Sequence, residues 1–200
     1  MAMAPLKLFV PVAALLLASA SHAGLVGKRF DASYRYPDVS TTYPYATASP
    51  STFTVGSGVE TIFDVERVTQ ISVDFSDSAL TLVLTTSLTG PTWNSASFNG
   101  PVFDLVAGGP LDIVSAAVDS STTMAGFDAS RVSFNAGRIG IDWNGLSYGD
   151  GTKVVVNFTS AIPEPSSWAL VALAGFALLG VRRYRQPADH RQKVVVQTPG

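Results

Sequence analysis

The chain has 200 residues, no cysteine and only two histidines, His22 and His190, so it cannot form a disulfide framework or a thiolate metal site. Residues 24–160 carry 13 acidic and 7 basic side chains. This excess of acid argues against nucleic acid as a partner, because phosphate binding needs clustered lysine and arginine.

The first 23 residues have the parts of a secretory signal peptide. Lys7 is a single cation ahead of an apolar run over residues 8–20, and small residues follow up to Ala23. We therefore predict that signal peptidase cleaves between Ala23 and Gly24 and that the protein is exported. An uncleaved anchor is the alternative, but 13 apolar residues that include Pro11 are short for a bilayer of about 30 Å.

The middle of the chain alternates apolar and polar residues with a period of two, as Ile71, Val73 and Phe75 illustrate. This pattern is typical of β-strands, and turn-forming residues separate the segments that show it. We predict strands over residues 52–55, 61–65, 70–75, 80–85, 102–106, 112–118, 131–135, 138–143 and 152–159. The segment 34–50, rich in tyrosine and proline, is predicted to be an edge strand or a long loop.

So many short strands cannot bury their apolar faces in one open layer. We therefore predict one all-β extracytoplasmic domain over residues 24–160, built as a two-sheet antiparallel sandwich of the immunoglobulin-like or jelly-roll kind. A single barrel is the alternative. The predicted core consists of Phe63, Ile71, Val73, Phe75, Leu82, Leu84, Phe103, Val132, Phe134, Ile139, Ile141, Val154, Val156 and Phe158.

Two groups of residues resemble enzyme or metal sites. Gly145-Leu146-Ser147-Tyr148-Gly149 matches the pattern of a hydrolase nucleophile elbow, but residues 24–160 hold no histidine to act as its base. A glycine-rich loop is the better interpretation. Side-chain oxygens that could bind calcium are present near this loop and elsewhere, but they lack the spacing of a calcium-binding loop. Turn formation is therefore the favoured role of these residues, which are Asp142, Asn144, Asp150, Asp74 and Asp77.

Carboxylates and aromatic rings raise the question of a polysaccharide ligand. Glu60, Asp64 and Glu66 are the nearest acidic cluster for glycosidase chemistry, but alternating acids also keep a sheet soluble. Aromatic side chains that can stack on sugars are Tyr34, Tyr36, Tyr43, Tyr45, Trp93 and Trp143. Trp143 is in phase with the apolar residues of its strand and is predicted to be core. Trp93 follows Gly90-Pro91 and is the better candidate for an exposed, ligand-facing aromatic, with an edge aromatic that covers the core as an equal alternative.

Three features follow one another after residue 160. Pro163-Glu164-Pro165 cannot continue a central strand or a helix. An apolar run of 14 residues extends from Trp168 to Val181. With Trp168 at one interface and a cationic cluster at the other, we predict a transmembrane helix over about residues 166–184 in contact with membrane lipid. The cluster consists of Arg182, Arg183 and Arg185.

This order of Pro163-Glu164-Pro165, short hydrophobic helix and arginines, over residues 161–185, resembles the bacterial PEP-CTERM sorting signal. The resemblance implies that a membrane-embedded exosortase cuts at or near the motif, commonly in Gram-negative bacteria that make exopolysaccharide. Residues 186–200, which we predict to be a flexible cytoplasmic tail, depart from the pattern, because members usually end soon after the arginines.

These patterns together predict an exported, non-catalytic surface or extracellular-matrix protein. It would pass through the inner membrane, be sorted and processed by an exosortase, reach the cell surface or the medium, and associate with exopolysaccharide. An extracellular glycoside hydrolase that uses carboxylates is the alternative. We predict no cofactor, no metal ion and no catalytic residue.

Overall fold

The computed structural model describes residues 24–161. The chain divides into two compact units, Met1–Ala161 and Ile162–Gly200, and all described residues belong to the first. The predicted signal peptide, the Pro-Glu-Pro motif, the transmembrane helix with its arginines and the C-terminal tail lie outside the described residues. Within residues 24–161 no helix is long and apolar enough to cross a membrane.

The described residues form strands almost throughout, joined by turns and by one 3-10 helix at Ala129–Arg131. In chain order the strands are β1 (Arg29–Arg35), β2 (Ala46–Ser49), β3 (Thr52–Thr54), β4 (Val59–Val65), β5 (Thr69–Phe75), β6 (Ala79–Thr86), β7 (Gly100–Ala107), β8 (Ile113–Val118), β9 (Val132–Asn135), β10 (Arg138–Ile141) and β11 (Lys153–Ser160). Each of the nine predicted strands overlaps one of the strands β3 to β11.

The strands make two sheets, in which every paired neighbour is antiparallel. One sheet has the order β3-β1-β7-β10-β9 and the other the order β2-β4-β5-β6-β11-β8. The predicted all-β architecture with two antiparallel sheets is therefore confirmed, and the single barrel is not formed. The choice between an immunoglobulin-like and a jelly-roll arrangement stays a prediction.

The core lies between the inner faces of the two sheets, as the period of two requires. Of the predicted core residues, all are buried except Phe134, which is partly buried because β9 is an edge strand. Stacked and edge-to-face phenylalanine rings fill one part of this core, with centroids 5.0 to 6.3 Å apart, namely Phe30, Phe53, Phe75 and Phe103. On β1, Tyr34 lies four residues beyond Phe30 and is also buried. The aromatic core therefore extends along this strand by about 13 Å.

The placement of Tyr34 corrects one prediction. The segment 34–50 does contain an edge strand, β2, but Tyr34 lies in β1, which pairs with β3 on one side and β7 on the other. The alternation of β1 is present in its burial pattern. Its polar positions Arg29, Asp31 and Arg35 and the small Ala32 give it a weak apolar signal, and the interior strand was missed for that reason.

Candidate ligand-binding site

Five aromatic side chains from distant parts of the sequence surround one cleft of about 140 Å³. They come from β1 and the segment after it, from the segment between β6 and β7, and from the loop between β10 and β11. We call this concavity the aromatic cleft, and its rings are Tyr34, Tyr36, Tyr43, Trp93 and Tyr148. Four of them are among the aromatics that the sequence analysis singled out, whereas Tyr148 was interpreted as part of a glycine-rich loop.

Trp93 lies at the centre of a stack of three rings. Its ring centroid is 5.4 Å from that of Trp143 and 4.5 Å from that of Tyr148, with interplanar angles of 20° and 14°. Trp143 is fully buried, as its phase in the strand predicts. Trp93 is only 8% exposed and belongs to the core cluster, so the structure agrees with the alternative of an aromatic that covers the core and not with exposure, although Trp93 does line the cleft.

Backbone hydrogen bonds explain why Trp93 is buried. Its amide donates to the carbonyl of Leu146 at 2.9 Å, and its own carbonyl accepts from the amide of Gly145 at 3.0 Å. Beside it, Thr92 and Ser147 form an isolated antiparallel bridge. These contacts hold the segment that carries Trp93 against the β10–β11 loop, and the indole ring therefore packs between Trp143 and Tyr148.

A chain of polar contacts supports the inner side of the cleft. The indole nitrogen of Trp143 donates to Tyr34 Oη at 2.8 Å, and Tyr34 Oη donates to Asn99 Oδ1 at 2.9 Å. Asn99 Nδ2 then donates to the carbonyl of Asn94 at 2.9 Å. Burial raises the pKa of Tyr34 well above its ordinary value, so Tyr34 is neutral and available as both donor and acceptor at physiological pH.

Tyr148 is fixed through its hydroxyl group. Tyr148 Oη lies 2.8 Å from Oγ1 of the buried Thr69, whose hydroxyl also contacts Thr86 Oγ1 at 3.2 Å. Burial raises the pKa of Tyr148. These contacts tie the ring to β5 and β6, while the Trp93 stack ties its face to the segment between β6 and β7. The ring is therefore held in one orientation at the cleft.

The outer rim of the cleft contains a ladder of partly exposed tyrosines. Tyr43 packs edge to face with Tyr36 at 5.5 Å and with Tyr45 at 5.6 Å, and Tyr45 is 69% exposed. Tyr43 Oη donates to Glu66 Oε1. Desolvation, followed by this hydrogen bond, raises the pKa of Tyr43 to about 12. The hydrogen bond joins the tyrosine ladder to the β4–β5 turn.

A second, shallower concavity of about 650 Å³ adjoins the cleft and is called here the outer groove. Tyr43 and Glu66 line both concavities. The outer groove also contains Tyr45, Asp64 and Arg67. The cleft and the outer groove therefore form one continuous surface.

One polar atom at the cleft has no partner. Among the buried side-chain nitrogen and oxygen atoms of the described residues, only Trp93 Nε1 lacks a hydrogen-bond acceptor. A buried donor without an acceptor is unfavourable by about 1–3 kcal/mol. The unpaired donor belongs to a side chain that lines the aromatic cleft, but the nitrogen atom itself is buried.

The three acids of the predicted cluster have different places in the structure: Asp64 and Glu66 both line the outer groove, whereas Glu60 lines neither concavity. Glu60 accepts from the amides of Gly56 at 3.0 Å and Phe75 at 2.7 Å, and it fixes the irregular register at the start of β4. Asp64 accepts from the Arg67 amide at 2.9 Å and so closes the β4–β5 turn. Glu66 alone of the three lines the aromatic cleft.

The residues of the G-x-S-x-G pattern and its flanking acids have structural partners. Ser147 Oγ lies 2.8 Å from Thr92 Oγ1, and the loop leads into strand β11 rather than into the helix of a nucleophile elbow. Asp142 accepts from the amides of Asn99 and Asn144, each at 3.0 Å. Asp150 accepts from the amide of Thr86 at 3.1 Å. These acids organise loops, as the turn-forming interpretation predicts.

Comparison with known proteins bears on the C-terminal end. A family model described as the PEP-CTERM protein-sorting motif matches residues 161–186. No curated protein and no solved structure matches the chain. The chain thus combines an all-β domain of two antiparallel sheets with a sorting segment. That segment is a PEP-CTERM sorting motif, as Pro163-Glu164-Pro165 and the arginines indicate, and the prediction of it is confirmed. The motif implies a surface protein exported through the membrane with an exosortase as its processing partner.

Proposed function

We propose that the chain is a non-catalytic surface or extracellular-matrix protein whose aromatic cleft binds exopolysaccharide. The observation that carries this proposal is the convergence of five aromatic rings on one cleft, with Glu66, Asn94 and Asn99 beside them. Sugar rings present apolar C–H faces that pack on aromatic side chains, and their hydroxyl groups need a few polar partners. The cleft provides both kinds of contact.

The rigidity of the rings supports binding. Trp93, Tyr148 and Tyr34 are each held by stacking or by hydrogen bonds that exist without a ligand. These buried rings form a fixed wall beside Tyr36 and Tyr43, the partly exposed rings against which a sugar would pack, and a preorganised site binds more tightly than a mobile one. The exposed Tyr45 and the outer groove would extend contact along a polysaccharide chain.

The sorting motif supports the proposed location. Signal peptidase would remove residues 1–23, and the helix over about residues 166–184 would hold the protein in the inner membrane until an exosortase acts at Pro163-Glu164-Pro165. The processed protein would then be at the cell surface or outside the cell. An exopolysaccharide would be the abundant ligand there.

The distribution of acids favours binding over hydrolysis. Glycosidase chemistry commonly needs two carboxyl groups on either side of the scissile bond. Glu66 is the single carboxylate among the described residues that line the cleft, and its Oε1 accepts from Tyr43. The proposal therefore assigns no catalytic residue.

Affinity electrophoresis tests the proposal. The full chain, purified in mild detergent, is run through native gels that contain a neutral, an acidic or an amino-sugar polysaccharide. We expect retardation by at least one of them, and we expect Tyr36→Ala and Tyr43→Ala to reduce it. Val114→Ala is the control, because Val114 is an exposed apolar side chain on β8 that lines neither the cleft nor the outer groove. Unretarded migration in all gels, or release of new reducing ends from a polysaccharide, would overturn the proposal.

A further inference from the structure

We infer that the aromatic cleft selects a polysaccharide whose sugars carry free, protonated amino groups over one built from uronic acids. This inference rests on the proposed function and deepens it by naming the class of sugar. It follows from the charge and the aromatic character of the cleft together.

The charge at the cleft is negative. Glu66 is the single ionisable acid or base, apart from tyrosines, among the described residues that line it. The neighbouring cation, Arg67, lines the outer groove instead. A sugar carboxylate in the cleft would be desolvated without a basic partner, which is unfavourable, whereas an ammonium group would meet an opposite charge.

One oxygen atom of the Glu66 carboxylate makes no hydrogen bond with any described residue. Tyr43 occupies Oε1, and no other described residue makes a hydrogen bond with Oε2. The hydrogen bond from Tyr43 positions the carboxylate at the edge of the cleft. A charge-assisted hydrogen bond from an ammonium group to Oε2 would therefore form without breaking an existing contact.

The aromatic rings reinforce the same preference. The face of an aromatic ring is negative and attracts cations, and Trp and Tyr do this better than Phe. Of the rings that line the cleft, Tyr36 and Tyr43 are partly exposed, so an ammonium group that packs on them gains a cation–π contribution that a neutral or acidic sugar does not.

The charge of the whole domain acts in the same direction. Residues 24–161 carry 13 acidic and 7 basic side chains. The field of this excess attracts a polycation and repels a polyanion over about a Debye length, roughly 8–10 Å at physiological salt.

Isothermal titration calorimetry with three oligosaccharides tests the inference. The probes are a chitosan oligosaccharide, the fully N-acetylated chitin oligosaccharide of equal length and an oligogalacturonate, each titrated into the full chain in mild detergent at a pH at which the amines are protonated. We expect chitosan to bind about five- to tenfold more tightly than chitin at low salt and the galacturonate not to bind. The preference for chitosan should shrink as salt is added.

Two variants make the result specific. Glu66→Gln keeps an oxygen that can accept from Tyr43 but removes the charge, so it should weaken the binding of chitosan by a larger factor than the binding of chitin and thereby reduce the preference for chitosan. Asp74→Asn is the matched control. It removes one acid from β5 at the opposite end from Thr69, away from the residues that line the cleft, and it should keep the preference.

The outcomes separate this inference from the proposal beneath it. Equal affinity for chitosan and chitin, tighter binding of the galacturonate, or an undiminished preference in Glu66→Gln would overturn the inference and leave polysaccharide binding standing. Failure of every probe to bind, together with unretarded migration in the polysaccharide gels, would overturn the proposed function itself.

Discussion

Trp143 Nε1 donates a hydrogen bond to Tyr34 Oη across 2.8 Å, although the two residues are 109 positions apart in the sequence. The contact joins strand β1 to the loop that follows β10, and the Tyr34 hydroxyl group in turn donates a hydrogen bond to Asn99 Oδ1. Both ring systems are almost fully buried. The hydrogen bonds that support the aromatic cleft therefore also connect distant parts of the sequence within the five-stranded sheet.

Tyr34→Phe should lower the free energy of unfolding by about 1–3 kcal/mol, because it leaves the buried Trp143 Nε1 without an acceptor and Asn99 Oδ1 without a donor. Urea unfolding followed by circular dichroism measures the change. Tyr45→Phe is the control and should stay within about 0.5 kcal/mol of the parent protein, because its side chain is exposed. Equal stability of the Tyr34→Phe variant and the parent protein would show that the hydrogen-bond chain is unimportant for folding.

Stability should fall as the pH rises from 10 towards 12. The folded-state pKa of Tyr43 is raised from 10.0 to about 12, mainly by desolvation. In this range the unfolded chain loses the phenol proton while the folded chain keeps it, so the contribution is fully present below pH 10 and is lost through pH 12. The pKa values of Tyr34 and Tyr148 are also raised, so these two residues likewise contribute to the loss of stability as the pH rises.

The measurement that checks this is the free energy of unfolding at several pH values for the parent protein and for Tyr43→Phe. The variant should lose less stability between pH 10 and pH 12, because one of the shifted groups is gone. Parallel pH profiles for the two proteins would contradict the assignment of this effect to Tyr43.

The strands were predictable where alternation was strong. On β5, Ile71, Val73 and Phe75 alternate with polar residues and are buried as expected. On β1 the same alternation exists, but Ala32 is a small residue between the inward Phe30 and Tyr34 and weakens the apolar signal. A hydrophobic pattern therefore identifies a strand only when its inward-facing residues are large. A strand with a small inward-facing residue is recognised only once its pairing with neighbouring strands is known.

The aromatic cleft was predictable only in part. Composition identified tyrosines and tryptophans that can stack on sugars, but the burial of Trp93 depends on backbone pairing with Leu146 and Gly145, more than 50 residues away. The same pairing brings Tyr148 to the cleft. The link of Tyr43 to Glu66 likewise depends on the sheet register that places the β4–β5 turn beside the tyrosine ladder. No local sequence signal encodes these pairings.

Arg67→Gly should stabilise the protein by about 0.5–1 kcal/mol. Glu66 and Arg67 form the central pair of a tight turn, closed by a hydrogen bond from the Val68 amide to the Val65 carbonyl at 3.1 Å, and both have positive φ, 54° and 59°. An L-residue is strained in that conformation and glycine is not.

Thermal and urea unfolding of Arg67→Gly and Arg67→Ala measure this effect. The alanine variant removes the same charged side chain but keeps the Cβ atom, so it should show no gain. A stabilisation of equal size in both variants would assign the effect to the arginine side chain rather than to the backbone.

Gly100→Ala should lower the free energy of unfolding by at least about 2 kcal/mol. A Cβ atom at Gly100 would lie 1.9 Å from the carbonyl oxygen of Ile141, and a backbone atom in a paired strand cannot easily move. Gly137→Ala is the control, because the nearest atom to its Cβ would be Asn135 Oδ1 at 3.9 Å. Urea unfolding compares them, and similar midpoints would mean that β7 and β10 can separate without loss of stability.

Glu164→Ala should leave the protein in the membrane fraction with an unprocessed C-terminus. The sequence places Glu164 between two prolines, and we propose that its carboxylate is the group that the processing enzyme recognises. Asp189→Ala is the matched control, because it removes an acid from the tail beyond the matched residues 161–186. Cell fractionation and intact mass spectrometry give the location and both termini of each protein. Trimming and release of the Glu164→Ala variant at the normal rate would show that the carboxylate between the two prolines is not what the processing enzyme reads.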